Sequence, residues 1–181
     1  MPLPRFAVLL RGINVGANKR VAMADLRRLL SGLGFTDVGT LLQSGNAVFS
    51  GRRAKPEVLA GRVQAAIRDE LGLQVACIVR SQEEIEAVIA GNPLGKVATS
   101  GSKLLVVFLS ESPDPTLMAE HDPVELAPDR IRLGDRVIYQ WCPDGILASP
   151  PVGGFVEKHW SVTTTGRNWN TVTKLATLLG E

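Results

Sequence analysis

Two short polar segments near the start of the chain carry residue types that could bind a ligand. The first, RGINVG at residues 11–16, directly follows an apolar run, and the second, QSGN, occupies residues 43–46. An arginine beside a glycine-rich turn is a combination with which proteins bind anions, since backbone N–H groups and a guanidinium both donate hydrogen bonds. The side chains and turn residues that could contact such a ligand are Arg11, Gly12, Asn14, Gln43, Ser44 and Asn46.

A third polar segment lies close to the C-terminus. Residues 165–175 read TGRNWNTVTKL, and an apolar helical face begins at Trp169. Asn168 is placed to cap that helix. Arg167 and Asn170 would then lie at the helix N-terminus, which favours an anion. The structural alternative is a capping network that docks the C-terminal helix.

Several reactive-site patterns are excluded by spacing. The glycines of RGINVG and the following Lys19 do not have the phosphate-loop spacing, and no Lys-Ser/Thr pair follows. Ser44 is not in a nucleophile elbow. His121 and His159 are isolated in sequence, with no carboxylate at metal-ligand spacing. No acid–base pair is evident, so the sequence assigns no catalytic residue, metal or cofactor and leaves open whether the protein is an enzyme.

The composition is that of an ordinary globular protein. The chain has 181 residues, of which 45% are hydrophobic and 21% charged, and its net charge is +2. Such a near balance of charge argues for no nucleic-acid or membrane partner by itself. Cys77 and Cys142 are far apart and lie in apolar stretches, which favours buried free thiols. No secretory or membrane-spanning segment is evident, so we expect a cytoplasmic location.

The elements of the first half predict a known arrangement. An apolar strand at 6–10, a helix over 23–33 ended by Gly34, strands at 38–43 and 46–49, a helix from Pro56 to Gly72 and a strand at 75–79 follow one another. Strand, helix, strand, strand, helix, strand is the ferredoxin-like order. In that fold the end of the first strand lies beside the start of the third. Arg11 and Asn14 should therefore meet Gln43, Ser44 and Asn46 in one polar cluster.

The second half is also mixed. A capping box at 81–84 opens a helix, a strand follows at 103–109, residues 130–133 and 136–141 form a hairpin, and short helices end the chain. No internal repeat is strong enough to claim. The prediction is therefore an α+β protein with a ferredoxin-like subdomain at 1–80. A second, smaller α+β subdomain at 81–181 would pack against it.

The motifs together resemble one bacterial family. RGINVG, the MADLR that begins at Met23, QSGN, Asn92-Pro93 and RNWNTV with a following Lys-Leu are similar to the domain-of-unknown-function family numbered 1697. The resemblance covers nearly the whole chain. It implies an α+β protein with a ferredoxin-like first half and no established activity. Family members usually carry a Ser-Lys-Leu type segment where this chain has residues 148–152, ASPPV, so that lysine is not carried over.

Three hypotheses about function follow. In the first, the protein binds an anionic ligand, a nucleotide or a nucleic-acid phosphate, through Arg11, Arg167 and the polar residues named above. In the second, an enzyme of unidentified reaction uses the same cleft. In the third, the polar motifs only lock the structure of an interaction module that has no small-molecule ligand. The sequence predicts no membrane partner and leaves the oligomeric state open.

Overall fold

The computed structural model describes residues 2–181, which form two compact units. The first comprises the residues up to Glu86 together with Lys174–Glu181, and the second comprises Ala87–Thr173. A compact unit is not by itself a domain that folds alone, so the predicted division between residues 80 and 81 stays a prediction. Within residues 2–181, no helix has the length and apolar character needed to cross a membrane.

The first unit has the predicted ferredoxin-like order. Its sheet has the strand order β2-β3-β1-β4, and each neighbouring pair is antiparallel. This confirms the predicted α+β fold class and the βαββαβ arrangement of the first half. The elements are β1 (Arg5–Leu10), α1 (Met23–Gly32), β2 (Thr36–Leu41), β3 (Asn46–Ser50), α2 (Pro56–Leu71) and β4 (Cys77–Ser81).

The core of this unit forms where one face of the sheet meets α1 and α2. Phe6, Val8 and Leu10 alternate along β1 and all belong to the core, as period-two packing requires. Pro56 starts α2 at a position where its missing N–H has no partner to lose. Gly72 ends α2 in the left-handed conformation, as predicted. Pro56 and Gly72 therefore set where α2 begins and ends, and the alternation along β1 sets which face of the sheet the helices cover.

The second unit is built on a second four-stranded sheet. The strand order is β6-β7-β5-β8, again with antiparallel pairs throughout. A 3-10 helix, Pro123–Leu126, precedes β6, and the unit boundaries fall within α3 and α6. The remaining elements are α3 (Gln82–Ala90), β5 (Leu104–Leu109), α4 (Pro115–Glu120), β6 (Ile131–Gly134), β7 (Val137–Trp141), α5 (Val152–Trp160), β8 (Thr164–Asn168) and α6 (Trp169–Leu179).

The two sheets repeat one topology. In the first, β1 lies between β3 and β4; in the second, β5 lies between β7 and β8. The residue registers also correspond: Ala7 of β1 pairs with Arg80 of β4, and Val106 of β5 pairs with Arg167 of β8. Each sheet is followed by one more helix, α3 or α6. The chain therefore contains the same βαββαβα unit twice, a repeat that the sequence analysis did not detect.

The last strand of each copy is protected in the same way. β4 and β8 are edge strands, and the free N–H groups of an edge strand can pair with another chain. The N–H of Cys77 donates to Oε1 of Gln64 from α2 at 2.8 Å. The N–H of Thr164 donates to Oε1 of Glu157 from α5 at 3.0 Å. In both copies a side-chain oxygen from the preceding helix thus accepts a hydrogen bond from a backbone N–H at the start of the edge strand.

The helix that follows each edge strand is also capped at a corresponding position. Ser81 Oγ accepts from the N–H of Glu84 at 3.1 Å, and the Glu84 carboxylate accepts from the N–H of Ser81 at 2.9 Å. This is the predicted capping box. Asn168 Oδ1 accepts from the N–H of Thr171 at 2.9 Å, as predicted for the last helix. Different residue types thus perform one role in the two copies.

We expect Ser81→Ala and Asn168→Ala each to lower the free energy of unfolding by about 1 kcal/mol, because each removes the acceptor for an otherwise unpaired helix N–H. Urea titration followed by circular dichroism measures the change. Asn170→Ala, at an exposed position in the first turn of α6, is the control and should change it by less than about 0.5 kcal/mol. An equal effect of all three substitutions would contradict the capping assignment.

Candidate functional site

The RGINVG segment forms a loop with an unusual backbone. Gly12 and Gly16 have φ of 67° and 65°, and two non-glycine residues, Asn14 and Lys19, have φ of 56° and 50°. The left-handed region costs side-chain-bearing residues about 1–2 kcal/mol but is open to glycine. The N–H of Asn14 donates to the carbonyl of Lys19 at 3.1 Å, which closes the loop. Both glycines of the motif therefore occupy positions whose left-handed backbone favours glycine.

The side chain of Asn14 joins this loop to the QSGN segment. Its Nδ2 donates to the carbonyl of Val21 at 2.8 Å and to the carbonyl of Gln43 at 2.7 Å. Its Oδ1 accepts from the N–H of Val21 at 2.9 Å. Both amide donors and the amide acceptor are thus used within the protein. The predicted meeting of Asn14 with Gln43 is present, and it is a contact between the amide and a backbone carbonyl.

Gly45 brings the two motifs into direct contact. A Cβ at this position would lie 2.8 Å from Cδ1 of Ile13 and 2.8 Å from Cβ of Leu10, and the φ of Gly45 is 91°. Its carbonyl accepts from the N–H of Leu10 at 2.8 Å. Ile13 is buried below the loop, with 2% of its surface exposed. Only glycine fits this position, for both its conformation and its surroundings.

The connection between β2 and β3 is longer than predicted. It spans residues 42–45 instead of the two-residue Ser44-Gly45 turn, and Leu42 takes a φ of 62°. Asn46 is completely buried and ties this connection together. Its Nδ2 donates to the carbonyl of Leu41 at 2.9 Å and to Oγ of Ser44 at 3.0 Å. The side chains of Gln43 and Ser44 are exposed.

The backbone of Arg11 pairs with β4, on the other side of β1 from the bonds of Asn14 and Asn46. Its N–H donates to the carbonyl of Ala76 at 2.9 Å, which extends the pairing between β1 and β4. Its exposed side chain lines a cavity of about 330 Å³, on the β4 side of the sheet, whereas Asn14 and Asn46 bond on the β3 side. We call this the Arg11 cavity; the residues that line it are Arg11, Lys19, Gln64, Arg68, Gln74, Val75 and Ala76.

The Arg11 cavity is positively charged. It has three cationic side chains, Arg11, Lys19 and Arg68, and no Asp or Glu among the residues of 2–181 that line it. Arg68 Nε lies 3.3 Å from Oδ1 of Asp69, but both side chains are mostly exposed, and such a pair is typically worth less than 1 kcal/mol. Gln64 uses its Oε1 for the N–H of Cys77. The polar groups that line the cavity are therefore mainly hydrogen-bond donors and cations.

Sequence reasoning missed four of these polar residues: Lys19, Gln64, Arg68 and Gln74. The signal was present in the fold itself. In a ferredoxin-like sheet the end of β1 lies beside the start of β4 as well as the start of β3, and here Leu10 pairs with Cys77. The segment between α2 and β4 must then pass next to Arg11. Apart from Arg11, the cluster predicted from sequence includes only residues on the β3 side of β1.

The predicted C-terminal residues lie in the second unit. Arg167 belongs to β8, where its Nη1 donates to Oγ1 of Thr165 and to the carbonyl of Gly166, both at 2.8 Å. Burial lowers the pKa of Arg167 to about 10, so it stays protonated at neutral pH. Asn168 caps α6, and the exposed Asn170 lies close over Gly101. Their participation in ligand binding stays a prediction.

The two histidines are neighbours in space. The rings of His121 and His159 stack with centroids 4.2 Å apart, and Phe155 lies 4.6 Å from His159. Desolvation, followed by the charges of His121 and Lys158, lowers the pKa of His159. Both histidines look isolated in the sequence, because residues far apart in the chain come together only through the fold. Over residues 2–181 no group of three metal-binding side chains occurs.

The cysteines are free and buried, as predicted. Burial raises the pKa of Cys77 to about 12, which keeps this thiol protonated at neutral pH. The reactive form of cysteine is the thiolate. Cys77 is therefore unsuited to nucleophilic chemistry, although its backbone lies next to the Arg11 cavity.

Asn46→Leu should lower the free energy of unfolding by about 1–3 kcal/mol, since a similar-sized apolar side chain leaves the carbonyl of Leu41 without its donor. Gln43→Leu, which changes an exposed neighbour, is the control and should cost less than about 0.5 kcal/mol. Chemical denaturation measures both. If Asn46→Leu were as stable as the wild-type protein, the amide would not be holding the β2–β3 connection.

Stability should fall in mild acid because of His159. A folded-state pKa below the unfolded value of about 6.5 means that the unfolded chain binds the proton first as pH falls. The free energy of unfolding should therefore decrease from about pH 6.5 downwards. His159→Gln should remove this part of the pH dependence, as measured by the difference between the two proteins in urea titrations. A difference that stays constant between pH 5 and 7.5 would contradict the stacked-pair interpretation.

Comparison with known proteins gives the fold and the family. The chain is similar to the solved structure described as that of the conserved bacterial protein SP0830 from Streptococcus pneumoniae, with a TM-score of 0.67 and 23% sequence identity. The match covers 98% of this chain and 99% of that one, and at this identity it shows the fold alone. A search of curated proteins finds no match. A family model described as a protein of unknown function, DUF1697, matches residues 3–139, and the chain therefore belongs to the DUF1697 family.

Proposed function

We propose that the protein binds an anionic ligand in the Arg11 cavity. The observation that carries this proposal is a cavity of about 330 Å³ lined by three cationic side chains and no carboxylate. Cations held around a concave surface repel one another and are kept near each other at a cost, which a bound anion offsets. The volume lies at the lower end of the usual range for ligand sites, roughly 300–1,000 Å³.

The second copy of the repeat supports a role for Arg11 beyond folding. Ser110 occupies the position of Arg11, because its N–H donates to the carbonyl of Thr163 at 2.8 Å as that of Arg11 donates to Ala76. Ser110 Oγ also accepts from the N–H of Thr163 at 3.0 Å. The same backbone arrangement thus forms without an arginine. A cation that the fold does not require in one copy is better explained by a ligand in the other.

The predicted ligand residues divide into two groups on this proposal. Arg11 contacts the anion directly, and Gly12 allows the turn that places the loop beside the cavity. Asn14 and Asn46 hold the loop and the β2–β3 connection in shape, since their amides already bond within the protein. This second group agrees with the structural hypothesis from sequence. Cationic and amide side chains around the cavity support binding more than proton transfer, which needs a group that titrates near neutral pH.

Arg11→Ser is the variant that tests the proposal, since the repeat itself shows that serine is compatible with this backbone. The change should leave the protein folded and weaken binding of inorganic pyrophosphate by about 10–100-fold, the value of one or two charge-assisted hydrogen bonds. Lys19→Gln should also weaken binding. Calorimetric titration at low salt measures the affinity, which should fall as salt is added.

The matched control is Arg52→Gln, which removes an exposed positive charge just after β3, at the opposite end of the sheet from Arg11. It should bind pyrophosphate like the wild-type protein. Equal loss in both variants would indicate attraction to net charge and no specific site. If the wild-type protein bound no anion, or bound it independently of Arg11, the proposed function would be wrong.

A further inference from the structure

The lining of the Arg11 cavity also bears on which part of a ligand it recognises. None of the lining residues, all of them within 2–181, is aromatic. Proteins that bind nucleobases commonly stack them on aromatic side chains. The apolar lining is limited to Val75, which is 95% buried, and the half-buried Ala76. A base would therefore find little apolar surface on which to lie.

The polar lining, in contrast, suits phosphate and hydroxyl groups. The acceptor oxygen of Gln64 is taken by the N–H of Cys77, so its amide presents Nε2 donors. The Gln74 side chain is exposed beside it and can both donate and accept. Two amides next to three cations can thus bond to the hydroxyl groups of a molecule whose phosphate is neutralised by Arg11, Lys19 or Arg68. This is the pattern expected for a hydroxylated phosphate ester.

Size points to the same class. A cavity of about 330 Å³ is near the lower end of the range for small-molecule sites and suits a small ligand. A nucleic acid would need cations spread along an extended groove to follow its backbone. Here the three cations instead line one concave site. A single concave site lined by cations favours a compact anionic ligand.

We propose that the ligand of the Arg11 cavity is a small phosphate ester carrying free hydroxyl groups, and that the site does not recognise a base. This inference rests on the proposed function and makes it narrower. Arg11, Lys19 and Arg68 bind the phosphate, and Gln64 and Gln74 bind hydroxyl groups. A nucleotide would bind only through its sugar and phosphate, with the base outside the site.

The test compares four probes on the full chain by calorimetric titration: inorganic phosphate, ribose 5-phosphate, AMP and a short single-stranded DNA. We expect ribose 5-phosphate to bind about threefold to tenfold more tightly than inorganic phosphate, the value of one net hydrogen bond. AMP should bind within about threefold of ribose 5-phosphate. Gln74→Leu should weaken ribose 5-phosphate but leave inorganic phosphate unchanged, which separates lost hydroxyl contacts from lost folding.

The outcomes distinguish the inference from the proposed function beneath it. AMP or the DNA binding more than about tenfold tighter than ribose 5-phosphate, with dependence on Arg11, would overturn the inference and leave anion binding intact. Equal binding of inorganic phosphate and ribose 5-phosphate would also overturn it, since hydroxyl groups would then contribute nothing. If none of the four probes bound in an Arg11-dependent way, the proposed function itself would fail, and the inference with it.

Discussion

The close contact of Gly45 with Leu10 and Ile13 is the constraint on which the first unit depends. A side chain at Gly45 would collide with both neighbours at 2.8 Å, and its φ of 91° excludes most other residues. Because this contact is so short, the RGINVG loop and the QSGN connection are packed as one structure. Asn14 then completes the junction through the carbonyl of Gln43. Two motifs that look like separate signals in the sequence are two sides of a single packing requirement.

That junction also determines what lies on the other side of β1. Ile13 is anchored in the core, so the chain before it must leave β1 in a defined direction. Arg11 continues the pairing with β4 through Ala76 and brings its side chain to the C-terminal turn of α2, where Arg68 lies. The cationic cavity is therefore a consequence of how the loop is fastened. The loop residues give shape, and residues from α2 and the following segment supply much of the chemistry.

Much of the fold could be predicted from sequence, for reasons that individual elements make clear. The continuous apolar run of β1, Pro56 at the start of α2 and Gly72 at its end are local signals, which is why these elements could be predicted. β8 carries no such signal. Its residues, TTGRN, lack an apolar stripe, and the strand forms because β5 offers it a partner. Edge strands defined by tertiary pairing in this way cannot be read from propensity alone.

The candidate site was predictable only in part, for a related reason. Arg11 was conspicuous because it is a charged residue that directly follows a buried strand and begins a turn with two glycines. Arg68 was hidden because a basic residue in the last turn of a helix is what the helix dipole favours anyway. Gln64 likewise looks like an ordinary polar position on a helix. Residues whose local explanation is already sufficient give no sign of a second role, and only the pairing of β1 with β4 places them beside Arg11.

The internal repeat separates arginines that serve the fold from those that do not. Arg80 and Arg167 hold corresponding positions on β4 and β8 and are both buried. In each, Nη1 donates to the carbonyl of the preceding residue, at 3.2 Å for Arg80 and 2.8 Å for Arg167. A feature kept in both copies of a fold, with the same bond, is most simply a requirement of that fold. This favours a structural role for Arg167, which the sequence had suggested as a ligand contact.

Arg11 differs from Arg80 and Arg167 in its exposure and in the type of residue that occupies the corresponding position of the second copy. It is exposed, its counterpart is Ser110, and the backbone bond at this position is the same in both copies. Substituting a serine for an arginine there evidently leaves the sheet able to form. Arg11 is thus not part of the structural feature that Arg80 and Arg167 share. Together with Lys19 and Arg68 it lines a cavity, and an anion bound there, as we propose, would offset the mutual repulsion of the three cations.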